Sequence, residues 1–237
     1  MSDDDNIPLI DPPVLDRHEI EQVLGTKINS LALYQKAFTH KSALKKYTLT
    51  ESFETLEFMG DSVLGFVITK MLFDKYEDKQ EGFLTKLRTK LVRGNTLAGI
   101  ARKLDLGKWI LMDDKGMRNG WNNNEKVLED AFEALIGAMY LDIGLLHTKR
   151  FILALYEDPS IVNMETLMVD DNFKDQLMRF CQAKKFDLPD YIMSSHDNGT
   201  FSIDVHVNGL CLGHGKARSK KQAEQEAAKM AMGRLNN

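Results

Sequence analysis

The chain has 237 residues, of which 43% are hydrophobic and 28% are charged. This length allows one large domain or two of modest size, and the composition excludes a disordered or a fibrous chain. The first residues are acidic, and no apolar run approaches the roughly 20 residues of a membrane span. We therefore expect an intracellular protein, cytoplasmic or nuclear, that is not secreted and contains no membrane segment.

Positive charge is concentrated towards the end of the chain. The net charge is −4, but residues 171–237 contain 10 Lys and Arg against 8 Asp and Glu. The densest group of cations is Lys216, Arg218, Lys220 and Lys221. An acidic module followed by a mildly basic one is the expected arrangement. The two cysteines, Cys181 and Cys211, are predicted to be buried free thiols.

The first part of the chain has helical periodicity. Residues 1–14 carry three consecutive aspartates and three prolines, and are predicted to form a flexible acidic arm. From Asp16, which can cap a helix, apolar residues recur at α-helical spacing to about Tyr156, and no convincing strand pattern interrupts them. Residues 15–156 therefore predict an all-α domain of about seven helices, and residues 157–171 predict a linker.

Residues 172–236 predict a small α+β domain with the order α-β-β-β-α. A helix over Phe173–Lys185 is followed by runs with strand character at 191–195, 201–207 and 210–212. Asn208-Gly209 predicts a type I′ hairpin turn, because both residues tolerate a positive φ. Ser219 can cap the closing helix, and Gln222 completes a capping box three residues later.

Two groups of carboxylates stand at helical spacing, Glu54 with Glu57 and Asp61, and Asp130 with Glu133. The second pair interrupts an apolar segment, where carboxylates are costly unless they bind a cation or form salt bridges. Oxygen ligands of this kind favour Mg²⁺ or Mn²⁺. Spacing alone leaves a charged helix surface paired with lysines as the alternative. A di-iron bundle is excluded, because Gly60 and Ile136 stand where its Glu-x-x-His motifs need histidine.

The segment around the first carboxylate group resembles the signature of the ribonuclease III family. Residues 53–65 read Phe-Glu-Thr-Leu-Glu-Phe-Met-Gly-Asp-Ser-Val-Leu-Gly, against a family pattern of approximately Asn-Glu-Arg-Leu-Glu-Phe-Leu-Gly-Asp-Ala/Ser-Val-Leu. Residues 38–42, 91–98 and 128–137 agree with the family in order and spacing, and the α-β-β-β-α region resembles a double-stranded RNA-binding domain. Phe53 and Thr55 replace the usual Asn and Arg, and every carboxylate is retained.

This resemblance implies a metal-dependent endoribonuclease for double-stranded RNA, with Mg²⁺ as cofactor and Mn²⁺ as a substitute. The implied metal ligands are Glu57, Asp61, Asp130 and Glu133, and the implied accessory acidic residues are Glu54 and Glu81. Two-metal hydrolysis would leave 5′-phosphate and 3′-hydroxyl ends with short 3′ overhangs. Phe58 is implied to insert into the partner of a homodimer, although an ordinary core position explains it equally well.

The resemblance also implies the contacts with RNA. Duplex RNA is recognised by shape, through phosphates and 2′-hydroxyl groups, which requires cations in fixed positions. The implied contacts are Lys216, Arg218, Lys220 and Lys221 around the start of the closing helix, with Gln182 and His196 elsewhere in the domain. Asp175, Met178 and Arg179 stand where the family commonly has Thr, Gln and Glu. The rival functions are a protein that sequesters duplex RNA without cutting it and a structural member of a ribosomal assembly.

Overall fold

The computed structural model of the chain describes residues 11–169 and 171–235. It divides between Met168 and Val169 into two compact units, each with its own hydrophobic core. The first ten residues of the predicted acidic arm lie outside the described residues. The two units match the predicted classes, because the first is helical and the second combines helices with a three-stranded sheet.

In its described residues, the first unit contains helices and no strand, apart from one isolated bridge between Thr39 and Leu111. Its α-helices are α1 Arg17–Leu24, α2 Leu31–Ala37, α3 Ala43–Lys46, α4 Glu54–Lys75, α5 Glu81–Leu91, α6 Gly94–Lys103, α7 Asp114–Arg118, α8 Glu125–Glu157 and α9 Met164–Met168. The sequence predicted about seven helices, which is too few for the described part of the unit. The additional ones, such as α3 and α7, are too short to produce a periodic pattern. Asp16 caps α1 as predicted, accepting a hydrogen bond from the His18 N–H at 2.7 Å.

Of the segment predicted as a linker, residues 157–171, the part up to Met168 belongs to the first unit. It contains α9, and Val162 is buried in the core of the first unit. The turn-forming dipeptide Asp158-Pro159 suggested a linker, whereas the apolar residues that follow it attach the segment to the core. The described structure therefore continues the first unit to Met168.

Helices α4 and α8 pack with their backbones in direct contact. A side chain at Gly60 would overlap the carbonyl oxygen of Glu133, and one at Gly137 would overlap that of Leu56. The absence of both side chains lets the two helices approach at the level where the carboxylates lie. Further along α8, Gly144 has a φ of 77° and interrupts the helical geometry.

The second unit has the predicted order of helices and strands. Its elements are α10 Phe173–Lys184, β1 Asp190–Asp197, β2 Thr200–Val207, β3 Leu210–Ala217 and α11 Lys220–Leu235, and the strands form an antiparallel sheet in the order β1-β2-β3. Asn208 and Gly209 have φ values of 49° and 76°, which agrees with the predicted turn. Ser219 Oγ accepts a hydrogen bond from the Gln222 N–H at 3.2 Å and so caps α11.

Strand β3 is longer than the sequence predicted, because it continues through Gly213 and Gly215 to Ala217. Glycine is unfavourable in strands, so the pattern indicated an end at 212. Both glycines face α11, where a side chain would overlap the helix backbone at Ala227 and Ala223. The glycines are therefore explained by the close approach of the sheet and the helix.

The two cysteines differ in exposure. Cys181 lies in α10 and is buried, as predicted, whereas Cys211 in β3 is exposed. The prediction for Cys211 was therefore wrong. The register between β2 and β3 shifts next to His206, which pairs with Cys211, and so places Cys211 on the face of the sheet that does not pack against α11.

Gly137→Ala is expected to lower the free energy of unfolding by on the order of 3 kcal/mol, because the added methyl group forces α4 and α8 apart. Chemical denaturation measures this effect. Gly99→Ala in α6 is the matched control, since a methyl group there meets nothing within 4 Å, and it should leave stability unchanged or raise it slightly. If both substitutions changed the free energy of unfolding equally, the close contact between α4 and α8 would not be important for stability.

Candidate metal centre and RNA-binding surface

Three carboxylates from α4 and α8 converge beside the helix crossing. Oxygen atoms of Glu57, Asp130 and Glu133 all lie within 4.8 Å of one another. Glu133 is 6% exposed, and the other two are partly buried. The crossing brings these residues together, because Gly60 lies between Glu57 and Asp61 on α4 and contacts the backbone of Glu133 on α8.

Asp61, the fourth predicted ligand, is exposed and does not belong to this group of three. It nevertheless lies close enough for its charge to act on Glu133. The structure therefore brings together three of the four predicted ligands and places Asp61 at the edge of the same centre.

The carboxylates in the centre disfavour one another's ionisation. Burial raises the pKa of Glu133 to about 8, and the charges of Asp61 and Glu129 contribute to the increase. Burial, followed by the charge of Asp130, also raises the pKa of Glu57. A carboxylate cluster with raised pKa values is stabilised by a divalent cation, which offsets the repulsion. The donor set of carboxylate oxygens fits Mg²⁺ or Mn²⁺.

Lys126 is a member of this centre that the sequence interpretation missed. Its Nζ lies 2.7 Å from Asp130 Oδ1 and 3.4 Å from Glu129 Oε2. Burial lowers the pKa of Lys126, but the hydrogen bond and charge of Asp130 outweigh this effect and raise it overall. The signal was present in the sequence, because residues three and four positions apart share a helix face.

The two predicted accessory acids lie outside the group of three. Glu54 is exposed, with Oε1 3.5 Å from Lys41 Nζ and Oε2 accepting a hydrogen bond from Ser52 Oγ at 3.1 Å. Glu81 begins α5 and accepts a hydrogen bond from the Thr85 hydroxyl at 2.8 Å. The structure thus gives both residues local partners.

Phe53 and Thr55, which differ from the family signature on either side of Glu54, differ in burial. Phe53 is buried and packs edge-on against the His40 ring, with centroids 5.7 Å apart. Thr55 is exposed. Phe53 therefore contributes to the core where the signature usually has a polar side chain.

A basic surface lies at the start of α11 in the second unit. Its members are exposed and form no ion pair with other residues that the structure describes: Lys216, Arg218, Lys220 and Lys221. The helix begins at Lys220, so Lys220 and Lys221 belong to its first turn, where backbone N–H groups have no partner within the helix. Cations and free N–H groups together favour phosphate oxygens.

The residues of α10 and β1 at the predicted RNA-contact positions differ in exposure and in their partners within the domain. Gln182 is exposed on α10, and Met178 is 39% exposed. Asp175 and Arg179 form a salt bridge of 3.0 Å. His196 lies within β1, and its ring stacks on Phe201 with centroids 4.2 Å apart.

The first unit is helical and contains a partly buried carboxylate centre, which is a feature of nuclease domains. The second unit has the order α-β-β-β-α and a basic helix start, which are features of an RNA-binding domain. Residues 30–159 match the Ribonuclease-III-like family, and residues 173–235 match the double-stranded RNA binding motif. The chain therefore belongs to the ribonuclease III family, and is an endoribonuclease with a double-stranded RNA-binding domain.

Individual relatives agree with this assignment. Ribonuclease 3 of Chlorobium luteolum is 38% identical over 224 residues, which are 91% of this chain and 80% of the relative. A protein of Paramecium bursaria Chlorella virus 1 is 37% identical over 240 residues, covering 97% of this chain and 84% of that protein. The solved nuclease domain of ribonuclease III from Campylobacter jejuni is 39% identical, with a TM-score of 0.56, over 60% of this chain and 96% of that one.

Among the described residues, no helix is both long and apolar enough to cross a bilayer.

Glu133→Gln is expected to make the stability of the metal-free protein less dependent on pH. The pKa of Glu133 in the folded chain, about 8, exceeds its ordinary value of 4.5. Wild-type protein therefore loses stability as the pH rises from about 4.5 towards about 8, because the unfolded chain releases this proton while the folded chain still holds it. The glutamine variant lacks this loss, so its advantage should be larger at about pH 8.5 than at about pH 5.

Denaturation in the presence of EDTA at both pH values measures this difference. Glu125→Gln, an exposed position at the start of α8, is the matched control and should show no such pH dependence. The same stability difference between wild type and Glu133→Gln at both pH values would contradict the raised pKa.

Proposed function

We propose that this protein hydrolyses double-stranded RNA with Mg²⁺ bound by Glu57, Asp61, Asp130 and Glu133, and that Mn²⁺ can substitute. The observation that carries the proposal is the convergence of Glu57, Asp130 and Glu133 within 4.8 Å beside the crossing of α4 and α8. Divalent ions held by these carboxylates would supply an activated water and would offset negative charge on the attacking and leaving oxygens. The expected products carry 5′-phosphate and 3′-hydroxyl ends.

The residues of the centre have distinct proposed roles. Glu133 is the most buried of the three convergent carboxylates, which supports a role as the central ligand that would help to hold both ions. Glu57 and Asp130 bind from opposite helices, and Asp61 extends the site towards solvent. Lys126 holds Asp130 through its 2.7 Å contact and limits the net negative charge when RNA phosphates approach. Glu54 and Glu81 are proposed to act at the edge of the substrate or metal shell.

The RNA-binding surface supports duplex RNA as the substrate. Lys216, Arg218, Lys220 and Lys221 are proposed to contact phosphates, with Gln182 and His196 as further contacts. Because α10 carries the Asp175–Arg179 salt bridge, we propose that α11 supplies a larger share of the affinity than α10 does. A protein that only sequestered duplex RNA would have no need of the buried carboxylates.

We propose that the protein forms a homodimer and that one exposed face of α4 is the interface. Phe58, Phe66 and Phe73 are 76%, 59% and 65% exposed and lie within about 80° of one another around the helix. Ser62 and Thr69 lie between them and form hydrogen bonds to backbone carbonyls of their own helix. Such an aromatic stripe is stabilised when a second copy covers it. Phe58 follows Glu57 directly, so the interface would place the partner next to the metal centre.

Glu133→Gln is expected to reduce Mg²⁺-dependent cleavage of duplex RNA by at least about 100-fold and to leave RNA binding intact, because it removes a charged ligand at nearly constant shape. Gel analysis of end-labelled duplex with Mg²⁺ or EDTA measures cleavage, and filter binding in EDTA measures affinity. Glu125→Gln should cleave like wild type. Full cleavage by Glu133→Gln, or cleavage by wild type in EDTA, would refute the proposed metal centre.

Replacing both Lys220 and Lys221 with Ala should weaken binding of every duplex sequence. The slope of log affinity against log salt should fall by about one to two, as expected for two lost phosphate contacts. Cleavage at saturating RNA in low salt should largely persist. Lys184→Ala combined with Arg234→Ala removes the same charge elsewhere in the second unit and is the control. Equal weakening by both pairs would indicate a general charge effect.

Phe58→Ala should shift the protein towards monomers, because it removes the most exposed aromatic ring of the proposed interface. Sedimentation velocity at low micromolar concentration measures this shift. Leu146→Ala on α8 is the control, since Leu146 is 59% exposed and lies outside the aromatic stripe. An unchanged profile for Phe58→Ala would contradict the proposed interface.

A further inference from the structure

Three polar residues lie together on the face of the sheet turned away from α11. His214 lies between Cys211 and Asp204 and contacts both side chains. Ile203, Val205 and Val207 of β2 are buried, so the alternate residue Asp204 lies on the opposite face. Asp204 pairs with His214 of β3 in the strand register. Cys211 reaches the same face because the register shifts between Val205 and His206.

The hydrogen bond between His214 and Asp204 indicates which nitrogen of the neutral His214 ring carries the hydrogen. Its Nδ1 lies 2.5 Å from Asp204 Oδ1. A carboxylate only accepts hydrogen bonds, so Nδ1 carries the hydrogen and the neutral ring has its lone pair on Nε2. This Nε2 lies 3.9 Å from Cys211 Sγ, which is also 3.9 Å from the Gly213 carbonyl oxygen. Nε2 is therefore placed to accept the thiol proton.

Access to the sulfur differs between the two cysteines of the chain. Cys211 is exposed, and the His214 side chain is 59% exposed, so a reagent in solution can reach both. Cys181 is buried, and its burial raises the pKa of its thiol. The same chain thus contains one accessible thiol, beside a histidine, and one buried thiol.

We propose that Cys211 is a nucleophilic thiol, activated by His214 and positioned by Asp204, that forms mixed disulfides with low-molecular-weight disulfides. This property is separate from RNA cleavage and does not depend on the metal centre. An exposed thiol with a neighbouring base has the surroundings typical of reactive cysteines. The Asp204 carboxylate stabilises the imidazolium that forms when His214 takes the proton.

The reaction is an exchange of sulfur partners. The Cys211 thiol proton moves to His214 Nε2, and the thiolate attacks one sulfur of the incoming disulfide. The disulfide bond of the reagent breaks as the bond to Cys211 Sγ forms. The departing thiolate takes the proton from the imidazolium. Cys211 is oxidised and one sulfur of the reagent is reduced, so no further oxidant is required.

Reaction of the full-length protein with an aromatic disulfide that releases a coloured thiol tests the proposal. At neutral pH, Cys211 is expected to react about tenfold faster in wild type than in His214→Gln. The ultraviolet absorbance of the thiolate should fall in the same variant. Mass spectrometry after brief exposure should find the adduct on Cys211 and not on Cys181. Asp204→Asn should lower both the rate and the thiolate absorbance, by less than His214→Gln does.

A matched control separates activation by His214 from a general effect of histidine on this face. His206 pairs with Cys211 across the strands and has no hydrogen bond to Asp204 among the described residues. His206→Gln should therefore change the rate by less than about twofold. Equal rates in wild type and His214→Gln would overturn the proposal, as would an equal loss in His206→Gln. Modification of Cys181 at the rate of Cys211 would also overturn it.

Discussion

The direct contact between the backbones of α4 and α8 is the constraint on which the nuclease unit depends. Gly60 and Gly137 leave no side chain between the helices, so each glycine lies against a carbonyl oxygen of the other helix. One of these oxygens belongs to Glu133 itself. The contact that stabilises the packing therefore also fixes the distance between the carboxylates of the two helices.

The same contact brings carboxylates close enough to repel one another, and the other charged residues of the centre only partly offset this repulsion. Burial and neighbouring carboxylates raise the pKa of Glu133 to about 8, while Lys126 offsets part of the negative charge through Asp130. A lysine contributes one positive charge and a divalent cation contributes two, so the cation is the stronger stabiliser of the ionised centre. Repulsion between the partly buried carboxylates destabilises the protein without metal. The same repulsion accounts for the proposed affinity for Mg²⁺, because a bound cation removes it.

The second unit uses the same packing principle for a different purpose. Gly213 and Gly215 bring β3 against the backbone of α11 at Ala227 and Ala223. This fixes α11 on one face of the sheet and leaves Lys220 exposed at the helix start. The opposite face of the sheet then remains open to solvent, which accounts for the exposure of Cys211.

Local interactions in the sequence determined the classes of both units, the caps at Asp16 and Ser219, and the turn at Asn208. These features depend on neighbours within a few residues, and the family signature identified the carboxylates by residue type. Only the tertiary structure decided which carboxylates converge, because that depends on the distance between helices far apart in sequence. It placed Asp61 outside the convergent group, attached residues 157–168 to the core, and exposed Cys211 through a shift in strand register.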